Sequence, residues 1–148
     1  MKKYVMYENK NEMIGVIVLS HGTLALSILD TAALIAGGID KCAGIALEAG
    51  DDPEEFRQTF EEVYEDFGAS RVFVDLMAGT PFNQVCMTSR VKEEKMYVVS
   101  GVNVPMMLEV LTSRGKSTPE QLQKMAVDAG KRGVANITEW LENLSKHK

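Results

Sequence analysis

Histidine is almost absent from this sequence. Only His21 and His147 carry an imidazole among 148 residues, so chemistry that needs such a ring has one candidate inside the patterned part of the chain. Cysteine is equally scarce. Cys42 and Cys86 stand far apart among apolar neighbours, with no CxxC or Cys/His spacing. That excludes a zinc cluster or a disulfide framework and reads as two buried free thiols in a reducing compartment. No stretch approaches the ~18 apolar residues of a membrane span. The N-terminal MKKYVMYENKNEM places Tyr, Glu and Asn where a signal peptide has its apolar core. Basic charge is short as well: 16 Lys and Arg against 21 Asp and Glu give a net charge of -5. The longest basic clusters are the pairs Lys2-Lys3 and Lys131-Arg132, which excludes the basic stripe of a nucleic-acid footprint. The expectation is a soluble cytoplasmic protein that calls for no metal, no cofactor and no nucleic acid.

With 45% hydrophobic and 25% charged residues, the rest reads as an ordinary globular chain. Residues 1–12 are polar and aperiodic and are expected to form a flexible arm, leaving 13–148 as a single domain. Residues 14–19, almost unbroken in aliphatic character, run into Ser20-His21-Gly22, the pattern of a strand buried on both faces. Further strands are expected over 39–47, 71–75 and 96–100. Helices alternate with them over 23–36, 53–67, 80–91 and 104–113, and the last runs from Thr118 with an apolar stripe through Ile137, Trp140 and Leu144. Proline is limited to four residues, each placed at an expected helix start: Pro53 behind Asp51 or Asp52, Pro81 behind Thr80, Pro105 behind Asn103, and Pro119 behind Thr118 with Gln121 completing a capping box. This alternation predicts an α/β fold, a doubly wound and mostly parallel sheet of strand order 2-1-3-4 with helices on both faces.

On the strand alone, a histidine ending it reads as a capping residue at least as readily as a catalytic one. The topology changes the balance. In that order the first and third strands are neighbours, and the switch-point crevice lies between Ser20-His21-Gly22 and Asp75. A carboxylate beside the imidazole accepts the proton of one ring nitrogen and turns the other lone pair outward as a nucleophile. Gly79 permits close backbone approach, and the helix opened by Thr80 offers free amide donors to an anion such as a phosphoryl group. Taken singly, Thr-Pro is an ordinary cap and a strand-end Asp an ordinary turn former; their convergence on one crevice favours chemistry.

Three stretches carry a resemblance: Ser20-His21-Gly22 with Leu24 and Ala25, DLMAGTPFN over 75–83, and GVNVPM over 101–106. In order and spacing they resemble the enzyme IIA component of the mannose-type (mannose/fructose/sorbose) bacterial phosphotransferase system, over residues 13 to about 142. The resemblance implies a phosphotransferase in which His21 takes a phosphoryl group on Nε2 from the carrier protein HPr and passes it to an enzyme IIB for sugar uptake. Asp75 would hold the other ring nitrogen and Thr80 would help bind the phosphoryl group, with Ser20, Gly22 and Gly79 around it. It further implies a homodimer with an exchanged strand, sought near 113–118, and indirect work with membrane IIC and IID proteins. No fused IIB domain or Ala/Pro-rich linker is seen, so a stand-alone IIA is expected. The family's loop reads aromatic-Gly-Gly before the hydroxyl residue, whereas Met77-Ala78-Gly79 stands here, and Ala78 adopts positive φ less cheaply than Gly. The alternatives are a non-catalytic regulatory or small-ligand-binding module on a flavodoxin-like fold, or a phosphotransfer subunit related to that of dihydroxyacetone kinase.

Overall fold

The computed structural model describes residues 3–6, 13–68 and 70–146. Five strands and six helices follow one another as β1 Lys3–Met6, β2 Gly15–His21, α1 Leu24–Ala36, β3 Cys42–Leu47, α2 Pro53–Phe67, β4 Ser70–Val74, α3 Thr80–Lys92, β5 Tyr97–Ser100, α4 Val104–Ser113, α5 Pro119–Arg132 and α6 Ile137–Lys146. The sheet order is β1-β3-β2-β4-β5. Its four parallel strands, β3-β2-β4-β5, are the predicted 2-1-3-4. The fifth is a correction. Lys3–Met6 pairs antiparallel with β3, with Lys3 opposite Ile45 and Met6 opposite Cys42, where a free arm was expected. Residues 1–2 and 7–12 of that stretch lie outside the described residues.

The alternation of side chains along the strands fills both faces. Val16 and Val18 of β2 and Phe73 of β4 join α1, α4 and α5 in one apolar cluster, through Leu29, Met107, Val110 and Leu122. Ile17 and Leu19 of β2 with Val72 and Val74 of β4 join α2 and α3 in the other, through Phe56, Phe60 and Val85. Val16, Ile17, Val18 and Leu19 are wholly inaccessible, so β2 is locked from both sides up to the residue before Ser20. Each such side chain is worth about 1.5–3 kcal/mol when taken out of water.

Helix ends follow the proline positions, with one shift. The Asp52 carboxylate accepts from the Glu54 N–H at 2.9 Å and caps α2, while Asp51 accepts from the Glu48 N–H at 2.8 Å and closes the turn before it. The Thr118–Gln121 capping box opens α5. At α3 the cap is Gly79, and Thr80 is the first helical residue.

The predicted final helix is two helices. Gly133 ends α5, where a Cβ would lie 2.3 Å from Pro105 Cγ, so only glycine admits that contact between α5 and the start of α4. The Asn136 side chain then caps α6, accepting from the Glu139 N–H at 3.1 Å. No described residue of α6 is buried, and Ile137, Trp140, Leu141 and Leu144 face solvent. The segment 113–118, where an exchanged strand was sought, is a turn tied by Ser117 Oγ donating to the Ser113 carbonyl at 3.1 Å. Cys42 is buried as expected, but Cys86 is exposed: it lies one position past Val85, which faces the core, and one residue turns a helix by about 100°.

Candidate functional site

β2 carries His21 to the carboxyl edge of the sheet, and Asp75 follows the last residue of β4. Leu19 is level with Val74 in the β2–β4 register, and the Asp75 N–H donates to the Leu19 carbonyl at 3.2 Å. Parallel pairing thus places residues 54 positions apart side by side. One Asp75 oxygen, Oδ2, accepts twice from the same residue: from the His21 backbone N–H at 2.9 Å and from Nδ1 of its ring at 2.8 Å. Oδ1 accepts from the Leu76 N–H at 2.9 Å. An ionised carboxylate only accepts, so the proton sits on Nδ1 and the Nε2 lone pair is free. Burial divides the pair usefully: the Asp75 side chain is 9% exposed and the His21 side chain 47%. The carboxylate is anchored and the ring is reachable.

Gly79 lies flat against that ring. A Cβ there would stand 2.5 Å from Cε1 and 3.2 Å from Nε2 of His21, so the N-terminus of α3 comes as close to the imidazole as a bare backbone allows. Thr80, one residue on, is half-buried, and its hydroxyl has no hydrogen-bond partner among the described residues. The unpaired amides of a helix start, with the positive end of its dipole, favour an anion at this point. The loop leading there is strained: Ala78 holds φ +68°, a conformation costing a non-glycine residue roughly 1–2 kcal/mol. It leaves Leu76 and Met77 exposed on the rim.

One expectation needs revision. Ser20 was placed among phosphoryl-binding groups, but it is wholly buried. Its Oγ donates to the Gly22 carbonyl at 3.0 Å and accepts from the Ala25 N–H at 2.8 Å, so its bonds are spent on backbone. Gly22 is demanded by conformation rather than by crowding, since φ is +60° and nothing lies within 4 Å of where a Cβ would be. The sequence reading also missed the third wall. A cleft of about 470 Å³ beside His21 is lined by Gly22, Leu47, Glu48 and Ala49, on the β3 side of β2. The predicted strand order already made the end of β3 a neighbour of the His21 end, and that adjacency was the available signal. His147 lies outside the described residues. Among the described residues, no group of three or more His, Cys, Asp or Glu side chains could hold a metal ion, and no helix is long and apolar enough to cross a membrane.

Residues 15–127 match the family described as "PTS system fructose IIA component". The chain is 28% identical over 127 residues to the mannose-specific EIIAB component of Escherichia coli K12, covering 82% of this chain and 38% of that protein. It thus spans well under half the length of that relative. To the fructose-specific EIIA component of Bacillus subtilis it is 25% identical over 105 residues, 69% of this chain and 71% of the relative. Among solved structures, phosphotransferase component EIIA from Streptococcus agalactiae superposes with a TM-score of 0.80 at 29% identity, over 86% of this chain and 99% of that one. The mannose/sorbose-specific IIA subunit from Enterococcus faecalis shares the fold, with a TM-score of 0.76 at 24% identity over 84% and 95% of the two chains. With the match extending from the first residue of β2 into α5 and enclosing both His21 and Asp75, the chain belongs to the fructose/mannose-type IIA family of the sugar phosphotransferase system.

Proposed function

We propose that His21 is a reversible phosphoryl carrier, loaded from the phosphohistidine of HPr and unloaded onto an enzyme IIB. The observation that carries the reading is the 2.8 Å contact between Nδ1 and the Asp75 carboxylate, on a ring left half exposed. In the forward step the Nε2 lone pair attacks phosphorus, and a new P–N bond forms as the donor's P–N bond breaks. The bonding pair returns to the donor imidazole. Nδ1 keeps its proton throughout, and Asp75 offsets the positive charge that the phosphorylated ring gains. The Gly79–Thr80 start of α3 lies beside Nε2 and supplies amide donors to the phosphoryl oxygens, with the Thr80 hydroxyl as a further donor.

The reading places a single IIA domain over 13–148 in the cytoplasm, upstream of membrane IIC and IID components and itself a homodimer. The exposed apolar stripe of α6 supplies a face for self-association. Regulation without phosphoryl transfer is the weaker alternative, because a non-catalytic module has no use for an imidazole fixed in one tautomer at an open edge. Incubation with radiolabelled phosphoenolpyruvate, enzyme I and HPr should label the chain, and His21→Ala should abolish the label. A wild-type protein that stays unlabelled sinks the proposal.

A further inference from the structure

The Ser20 hydroxyl ties down the turn that follows His21. It is wholly inaccessible, donates to the carbonyl of Gly22 at 3.0 Å, and accepts from the N–H of Ala25 at 2.8 Å. The second bond replaces a missing one. Thr23 occupies the N-cap position of α1 but makes no side-chain capping bond, so a first-turn amide that the helix cannot satisfy finds its acceptor in Ser20. The first bond fixes the Gly22–Thr23 peptide, the one after the peptide leaving His21, at a residue whose φ of +60° lies in a basin that glycine leaves readily. The entry side is already held by the His21 N–H on Asp75, and the Gly22 N–H is held by the Leu47 carbonyl at 2.7 Å. Without the hydroxyl, the Gly22 carbonyl and the buried Ala25 amide lose their side-chain partner, and rotation at Gly22 is the cheapest way to rehydrate them. That rotation moves the Cα that carries the imidazole.

We infer that Ser20 is a positioning residue for His21, its hydroxyl locking the 20–25 turn so that Nδ1 stays on Asp75 and Nε2 stays against Gly79. The inference rests on His21 being the phosphoryl carrier. A hydroxyl that merely caps α1 would affect melting and nothing else, so the test reads the ring itself.

Ser20→Ala, in the full chain, is expected to slow single-turnover uptake from phosphorylated HPr about 10- to 100-fold, the cost of misplacing a reacting group by roughly 1 Å. Half-saturation by HPr should stay near the wild-type value, because the contact surface is untouched. Long-range proton–nitrogen NMR of the unphosphorylated protein should show a smaller share of the Nδ1–H tautomer of His21. Ser20→Thr keeps the hydroxyl and should restore both readouts. Ser20→Cys is close in shape but a weak donor and acceptor; it should fall between, and it keeps the question decidable if the alanine variant does not fold. Wild-type uptake and tautomer share in a folded Ser20→Ala or Ser20→Cys protein would overturn the inference, whatever the melting shift. If wild type itself takes no label, the carrier reading fails, while the tautomer share across the variants still decides the role of Ser20.

Discussion

Replacing Gly79 by alanine is the sharpest steric test of the site. Gly79 has φ -94° and ψ 175°, extended backbone that alanine adopts freely, so the substitution carries no conformational penalty of its own. Its whole effect is one methyl group set 2.5 Å from His21 Cε1, where ordinary contact begins at 3.4 Å. Something must give by about 0.9 Å. The half-exposed ring swings more easily than α3 shifts, because Pro81 and Val85 of α3 are buried. A ring displaced that far stretches the 2.8 Å bond to Asp75 towards or past the range in which a hydrogen bond survives. Transfer should then fall on the order of 100-fold, or about 2.7 kcal/mol of transition-state stabilisation. Stability should change by less than about 1 kcal/mol, since an exposed ring can relax into water. Rapid-quench measurement of phosphoryl uptake from phosphorylated HPr, beside urea unfolding, separates the two. A folded Gly79→Ala protein with wild-type uptake would refute the packing of α3 against the imidazole.

Other perturbations probe separate links. Asp75→Asn should keep the fold and slow transfer by about 10² to 10⁴, because an amide no longer enforces the Nδ1–H tautomer; wild-type rates would show that the pairing is irrelevant to transfer. Ala78→Gly should raise unfolding stability by roughly 0.5–1 kcal/mol, the relief of φ +68° less the extra unfolded-chain entropy of glycine. A lower urea midpoint would contradict that strain. The pKa of the Tyr64 hydroxyl is pushed up to about 12 by burial first and then by the neighbouring Glu94 carboxylate. The folded state therefore holds the phenol neutral while the unfolded chain ionises it near 10, and stability should fall as pH rises from about 10 to about 12. Tyr64→Phe should flatten that part of the urea-midpoint profile, and an unchanged slope would remove Tyr64 as its source. If the chain is the proposed homodimer, Trp140→Glu on α6 should shift sedimentation from dimer to monomer; an unaltered dimer would place self-association elsewhere, and a monomeric wild type would contradict the dimer.

The parallel sheet was legible because β2 and β4 carry the apolar runs Val16–Leu19 and Val72–Val74 and four of the helix starts are marked by proline. From that order alone His21 and Asp75 meet, although the sequence separates them by 54 positions. What escaped reading depends on contacts that periodicity does not encode. Lys3–Met6 is too short to announce itself, and its pairing with β3 is a tertiary choice made by an open edge. The stripe from Leu122 to Leu144 keeps helical spacing across Gly133 and Asn136, yet the close approach of Pro105 to Gly133 ends one helix and Asn136 caps the next. At the site, two placements read from the sequence differ from the structure. Thr80 was read as the cap that Gly79 provides, and the Ser20 hydroxyl was assigned to a ligand when the backbone consumes it. Both errors have one cause: donor and acceptor pairing within a tight turn depends on φ values such as those of Gly22 and Ala78, which the residue types permit but do not dictate.

The most direct measurement is the position of the phosphoryl group on the protein after incubation with phosphoenolpyruvate, enzyme I and HPr, mapped by peptide mass spectrometry and phosphorus NMR under alkaline conditions. The account predicts one acid-labile phosphohistidine, at His21 and on Nε2, because Nδ1 is held by Asp75. A phosphoryl group on Nδ1, on another residue, or on none would contradict it.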